Sequence, residues 1–265
     1  MDLGLEGKVA LVGGGSRGLG RGTAEVLARE GVKVAIYARS AGPLEEAAQQ
    51  ITQETGSETI AIPTDVRDPQ SCHAAVDAVV ERFGRLDILV PNLAGDTYHS
   101  DVLAASDDNW TSDFELYALS VIRMSRAAVP YMKAIGGGSI VNRSSCGVHS
   151  AIPEFALSEA IRLATSGFAK YLSLQVASDG IRVNSVLPGW IEGDAIDNLY
   201  AQEAAALGTT GDELKQESLK LIPMGRYGTA LEVGSAVAFL SSTVGSYITG
   251  TNIRLDGGWA PQPTV

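Results

Sequence analysis

Short, almost continuously apolar runs alternate with longer segments of helical spacing from one end of the chain to the other. Lys8–Gly13, Val32–Tyr37, Thr59–Pro63, Leu86–Val90, Ser139–Asn142, Arg182–Leu187 and Thr251–Leu255 read as strands. Their apolar positions are consecutive rather than alternate, which is the pattern of strands buried on both faces. Between them, Gly18–Arg29 repeats Leu19, Ala24, Leu27 and Ala28 at helical intervals, and Gln70–Phe83 sets Val76, Val79, Val80 and Phe83 on one face. Leu44–Glu54, Asp107–Ile135 and Phe155–Ser178 predict further helices. Strands separated by helices, with no linker and no repeat, predict one α/β domain over residues 1–265. Its expected core is a doubly wound, parallel, seven-stranded sheet of the Rossmann type. Glu192–Leu221 departs from the pattern. It is polar and helical and follows the sixth strand at its carboxyl end, where insertions overlie a ligand crevice, so it is expected to form a substrate lid.

Composition narrows the class of partner. The chain has 265 residues, 45% of them hydrophobic, and a net charge of -11. That charge excludes nucleic acid and an anionic membrane surface, both of which need clustered Lys and Arg. The apolar run Val9–Val12 is too short for a signal-peptide core, and no stretch is long enough to span a bilayer, so a cytoplasmic protein is expected. Cys72 and Cys146 have no metal-ligand spacing, and His73, His99 and His149 form no ligand cluster, so no metal is expected and the thiols read as inert.

The strongest local signal is Gly14-Gly15-Ser16-Arg17-Gly18-Leu19-Gly20, which leaves the first strand and opens a helix. Glycines there permit a tight turn and close backbone approach to a pyrophosphate. The helix start adds unpaired N–H donors and the positive end of its dipole. In this context the turn predicts a bound dinucleotide, with Gly14, Ser16, Arg17, Gly18, Leu19 and Gly20 around its phosphates.

The spacing of Gly14, Gly18 and Gly20 resembles the fingerprint of the classical short-chain dehydrogenase/reductase family, which usually has Thr where Gly13 stands. Further matches follow in order: Asp65-Val66, then Asn92-Leu93-Ala94-Gly95, then Asn184 to Gly189, then Tyr247-Ile248-Thr249-Gly250 leading to Asp256-Gly257-Gly258. The resemblance spans roughly residues 8 to 259. It implies that Asp65 and Val66 meet adenine, that Asn92, Ala94 and Gly95 line the cofactor, and that Pro188, Gly189 and Ile191 form the nicotinamide-side loop. Gly193 stands where many relatives carry Thr. The resemblance further implies a small-molecule substrate and a homotetramer or dimer, assembled through the helix Phe155–Ser178 and the helix holding Tyr117. Ile161, Leu163, Phe168 and Leu172 lie along an apolar side of the former. Ala38 occupies the place where NAD-preferring relatives carry Asp. Arg39 follows it, and with Arg17 can bracket a ribose 2′-phosphate, so NADP(H) is the expected cofactor.

The catalytic positions depart from the family. Its Ser-to-Tyr and Tyr-to-Lys spacings, counted from Ser145, land on Ser158 and Arg162. The downstream match at Gly180–Asn184 supports that register, and Tyr117 aligns with the family's catalytic Asn. A Ser hydroxyl is a far poorer acid than a phenol, whose pKa is about 10, and Arg does not release a proton at ordinary pH. Three readings stand open. One is an NADP(H)-dependent oxidoreductase for a small carbonyl or enone. Its proton chemistry then runs through Ser145, Tyr117, Ser158 and Arg162, where Tyr117 either supplies the relocated acid or fills the volume vacated by Tyr→Ser. The second is non-redox chemistry of the lyase, dehydratase or cyclase type, and the third a catalytically silent binding subunit. Arg162 also stands where the family's Lys holds the cofactor ribose. Tyr98, His99 and His149, on loops after the fourth and fifth strands, and Trp190, beside Gly189, are the expected substrate contacts.

Overall fold

The computed structural model describes residues 2–92 and 100–260, without the side chains of Ala195 and Ala206. Leu93, Ala94, Gly95, Tyr98 and His99 lie outside the described residues. Among the described residues seven strands are present: β1 (Val9–Gly13), β2 (Lys33–Ala38), β3 (Thr59–Pro63), β4 (Ile88–Val90), β5 (Gly138–Arg143), β6 (Ile181–Pro188) and β7 (Asn252–Leu255). They form one all-parallel sheet in the order β3-β2-β1-β4-β5-β6-β7. The helices are α1 (Gly18–Arg29), α2 (Ala41–Thr55), α3 (Pro69–Phe83), α4 (Asp107–Phe114), α5 (Ser120–Ala134), α6 (Ala156–Val176), α7 (Asp194–Leu207), α8 (Gly211–Leu219) and α9 (Ala230–Ser241).

The pleat sorts the core into two layers, because successive strand residues point to opposite faces. Ala10, Val12, Val34 and Ile36 pack with Leu27 of α1, Leu44 of α2 and Val237 of α9. Val9, Leu11, Ala35 and Tyr37 pack with Val76 of α3, Met124 of α5 and Ala169 of α6. On the first side, α1 and α9 cross at two glycines. A Cβ on Gly22 would stand 2.6 Å from Ala230 Cβ, and one on Gly234 2.8 Å from the Gly22 carbonyl oxygen. Just before α9, Gly228 bridges Ile191, donating its N–H to the Trp190 carbonyl at 3.0 Å and accepting from the Glu192 N–H at 2.9 Å.

Two regions differ from expectation. The long helix over 107–135 is interrupted by a π-helical turn, Glu115–Leu119, between α4 and α5. The segment 192–221 is two helices, α7 and α8, and it is less polar in its packing than in its composition. Ile196, Leu199 and Tyr200 join Trp190, Ile222 and Tyr227 in a third apolar cluster. Thr210 and Glu213 form a capping box that starts α8. On α6 the expected apolar side divides: Ile161 faces inward at 4% exposure, whereas Leu163 is 54% exposed, with Tyr171 and Leu174 also outward. Among the described residues no helix is long and apolar enough to cross a membrane, and no group of His, Cys, Asp or Glu is placed to hold a metal.

Candidate active site

The strand order reverses direction between β1 and β4, and the carboxyl ends of β1, β4, β5 and β6, which lead into the glycine turn, Asn92, Ser145 and Gly189, lie along one edge of the sheet. The β1–α1 turn is built from close contacts that only glycine allows. A Cβ on Gly20 would lie 2.3 Å from the Gly14 carbonyl oxygen and 2.4 Å from that of Gly13, and one on Gly15 would lie 2.4 Å from Ile36 Cβ. Gly14 and Gly18 adopt left-handed φ values of 62° and 56°. Gly18 itself has nothing within 4 Å of its Cβ position, so the space over the start of α1 is open. Arg17 caps α1 with extended backbone and no side-chain cap hydrogen bond, and the first turn carries no acidic residue. Orphan N–H groups, a positive dipole end and open space together make an anion cradle. Ser16 and Leu19 are partly buried on this turn.

Asn92 ties the turn to the next strands. Its Nδ2 donates to the Gly13 carbonyl at 3.0 Å, and its Oδ1 accepts from Arg143 Nε at 2.7 Å. Arg143 was not among the expected site residues, and only its place at the end of β5, two before Ser145, could have marked it. Arg39 is exposed at the end of β2 after the partly buried Ala38, without an ion-pair partner among the described residues, and Arg17 is exposed at the head of α1. Asp65, exposed, accepts from the Arg67 N–H, while Val66 is buried. Pro188 ends β6, and the Gly189 N–H donates to the Leu255 carbonyl at 3.0 Å. Ile191 is buried one residue beyond Trp190.

Ser145, Tyr117, Ser158 and Arg162 surround the end of β5. Ser145 Oγ accepts the Gly147 N–H at 3.1 Å. Ser158 Oγ donates to the Phe155 carbonyl at 3.1 Å. Arg162 is 7% exposed, donates through Nη1 to the Arg143 carbonyl at 3.4 Å, and sets its guanidinium 4.3 Å from the centre of the Tyr117 ring. Tyr117 sits in the π-turn, whose wider winding leaves the Tyr117 carbonyl to accept from Thr165 Oγ1 at 3.0 Å. One further residue belongs to this cluster. Glu159, next to Ser158, is 7% exposed, and a Cβ on Gly147 would stand 2.3 Å from its Cδ. Burial pushes its carboxyl above the ordinary range, opposed by the Ser145 hydroxyl and then by Arg162 and Arg143. A glutamate on a helix reads as a solvated position, so only the glycine at 147 hinted that something packs there.

A cavity of about 320 Å³ is lined by Trp190, Tyr200, Leu214 and the carboxylates Glu154, Glu203 and Glu217, and by no member of this cluster. The Trp190 and Tyr200 rings stack with centroids 6.0 Å apart, and Cys146, the neighbour of Ser145, belongs to the same apolar cluster. Burial, and then the charge of Glu154, raise the Glu203 carboxyl above its usual range. Trp190 thus lines a cavity. His149, by contrast, is exposed, and it is not among the residues lining this cavity.

Comparison with known proteins gives these features a family. A family model described as Enoyl-(Acyl carrier protein) reductase matches residues 14–260. The chain is 36% identical over 256 residues to a 3-oxoacyl-(acyl-carrier-protein) reductase of Vibrio cholerae, covering 97% of this chain and 98% of that one. It is 35% identical over 252 residues to the reductase of the same name from Staphylococcus aureus, covering 95% and 97%. Among solved structures, L-sorbose reductase from Gluconobacter frateurii, complexed with NADPH and L-sorbose, superposes with a TM-score of 0.94 at 30% identity, covering 99% of this chain and 100% of that one. A putative short-chain alcohol dehydrogenase from Sinorhizobium meliloti gives a TM-score of 0.88 at 31% identity, with the same coverage. With the family matched over nearly its whole length, and the glycine turn, the seven-stranded order and the β5 edge in place, this chain belongs to the short-chain dehydrogenase/reductase family of oxidoreductases.

Proposed function

We propose that the chain is an NADP(H)-dependent oxidoreductase for a small carbonyl or enone substrate, with a proton-transfer site that departs from the family pattern. The observation that carries this reading is the β1–α1 cradle, which excludes side chains at Gly13, Gly15 and Gly20 while leaving space over Gly18. A turn that had no phosphate to hold would not need that combination. Gly14, Ser16, Gly18, Leu19 and Gly20 would hold the pyrophosphate. Arg17 and Arg39 would hold the 2′-phosphate, since Ala38 offers no carboxylate to repel it. Asp65 and Val66 would border adenine. Asn92, Pro188, Gly189, Ile191 and Arg162 would line the ribose and nicotinamide. The nicotinamide, when bound, supplies or accepts a hydride.

The chain's own residues must then manage the proton and the charge. Arg162 keeps a fixed positive charge near the ribose, and the Tyr117 ring beneath it orients the guanidinium by a cation–π contact. Ser158 commits its hydroxyl proton to Phe155. Ser145 remains the hydroxyl best placed to meet a substrate oxygen. The helices α7 and α8 serve as the lid over the cavity. Its aromatic wall and its carboxylates favour a free neutral or cationic molecule over an anionic one, because a negative substrate would be repelled at the mouth. The L-sorbose reductase is the relative whose named substrate, a free ketose, suits such a cavity. The outward Leu163, Tyr171 and Leu174 suit an interface between copies, in keeping with a tetramer or dimer.

Titration with NADPH and NADH, followed by cofactor oxidation over ketones, ketoses, enones and enoyl thioesters, tests the reading. NADPH should bind more tightly than NADH and turn over with a free ketone, ketose or enone. Tight binding with no turnover of any compound would overturn the oxidoreductase assignment, and failure to bind either nucleotide would overturn the cofactor.

A further inference from the structure

Two groups of the set just described cannot be the proton source. Ser158 has given its hydrogen to a backbone carbonyl, and Arg162 does not release one. Glu159 stands beside both. Its carboxyl is packed against the turn that carries Ser145, and its Oε2 is buried without a hydrogen-bond partner. A polar carboxyl held there for structure alone would be costly, since a buried polar atom without a hydrogen-bond partner is penalised in either protonation state. An apolar side chain of the same size would fill the space without that penalty.

We propose that Glu159 is the proton reservoir of this site, acting through the hydroxyl of Ser145; the proposal rests on the oxidoreductase reading above. The Gly147 N–H occupies one lone pair of Ser145 Oγ. The other lone pair is left to accept from a protonated Glu159, and the Ser145 hydrogen to be given to a substrate oxygen. In the reducing direction a bound reduced nicotinamide would supply the hydride to the carbonyl carbon. Its oxygen takes the Ser145 proton, and Ser145 takes the Glu159 proton. The carboxylate left behind is balanced by Arg162 on α6 and Arg143 on β5, and regains a proton from water. Oxidation runs the same chain backwards. Burial, the first influence on this carboxyl, keeps it protonated above the usual range. Removing the two arginine charges would raise it further. The remaining titratable neighbour, Cys146, is a thiol pushed up to about 12, mainly by burial, and stays neutral throughout.

The test reads the carboxyl directly and then through turnover. Carbon-13 NMR of Glu-labelled protein, with NADPH bound and free, should show one carboxyl titrating above the others. That signal should be absent from Glu159→Gln and moved upward in Ser145→Ala. With the best substrate, Glu159→Gln should lower kcat by about 10²–10⁴-fold, the usual worth of a positioned acid. NADPH affinity and melting temperature should stay near wild type, and Glu159→Asp should restore part of the rate. In Glu159→Ala, added formate should restore turnover with a pH dependence that follows formic acid, which a merely structural role would not produce. An ordinary titration at Glu159, or wild-type turnover in Glu159→Gln, overturns the proposal. If the wild type binds NADPH and reduces nothing, the oxidoreductase reading fails, and the reservoir role fails with it even if the raised titration remains.

Discussion

Replacing Gly20 with alanine separates a phosphate cradle from an ordinary tight turn. The new methyl would sit 2.3 Å and 2.4 Å from two carbonyl oxygens of the same turn, and neither is the end of a flexible side chain that can swing away. Overpacking of this kind costs about 1–3 kcal/mol, and backbone neighbours place it toward the upper end. Alanine returns about 1 kcal/mol through its better helix propensity in α1. The net loss is about 2 kcal/mol, which for a chain of this size lowers the melting temperature by roughly 4–8 °C. NADPH binding should suffer more, because the turn can relieve the clash only by moving its N–H groups. Loss of one charge-assisted hydrogen bond, about 1.5–3 kcal/mol, weakens affinity by roughly 10- to 100-fold. Gly42→Ala is the matched control: its Cβ position in α2 has nothing within 4 Å, so stability and affinity should be unchanged or slightly improved. Calorimetric titration and thermal melts of both variants decide the matter. Gly20→Ala protein that melts and binds NADPH like wild type would refute the steric reasoning.

Three further outcomes follow from other contacts. Arg39→Ala should weaken NADPH by about 5- to 30-fold, the equivalent of 1–2 kcal/mol at an exposed phosphate contact, and leave NADH unchanged in the same titration. Tyr117→Phe should keep turnover, because the ring under Arg162 survives. Tyr117→Leu should lose about 2 kcal/mol in a denaturant melt by removing a desolvated cation–π contact; loss of turnover in Tyr117→Phe would instead make its phenol the acid. Glu232, hydrogen-bonded by Arg226 and by the Thr229 cap of α9, has its carboxyl lowered to about 2. A depressed carboxyl stabilises the fold above its unfolded value of about 4.3 and loses that stabilisation as pH falls toward 2. Melting temperatures of wild type and Glu232→Gln should therefore converge in acid and separate, modestly for so exposed a pair, at neutral pH.

The sheet was legible because its strands are buried on both faces, so each appears as a continuous apolar run whatever the details of register. The strand boundaries moved by at most two residues, as at β4, where Leu86 and Asp87 precede the ladder that begins at Ile88. The π-turn at Glu115–Leu119 was not legible. Its extra residue per turn has no signature in Leu116-Tyr117-Ala118, and it is held by a distant partner, Thr165. Helices α7 and α8 read as polar because Glu203, Glu213 and Glu217 dominate the composition, while the buried stripe of Ile196, Leu199 and Tyr200 depends on Trp190 in the preceding loop and on Ile222 and Tyr227 arriving from further along the chain. The glycine cradle was visible because its chemistry is local. Glu159 was not, because what buries it is the turn after β5, folded back across α6.

The crossing of α1 and α9 at Gly22 and Gly234 has a consequence for the order of events. The helix that would hold the phosphates rests closely on a second helix at these two glycines, where the small Ala230 and Val26 side chains leave little room to absorb a shift. That second helix begins immediately after Gly228, which is hydrogen-bonded to the two residues flanking Ile191 at the root of the lid. The proposed cofactor seat and the root of the proposed lid are thus joined through one stiff strut. Settling a dinucleotide into the first should quiet the second before any substrate arrives. Hydrogen exchange is expected to show this as slower exchange in α7 and α8 on NADPH addition alone. A bulky residue at Gly234 would uncouple the two, leaving a lid that no longer registers whether the cofactor is present.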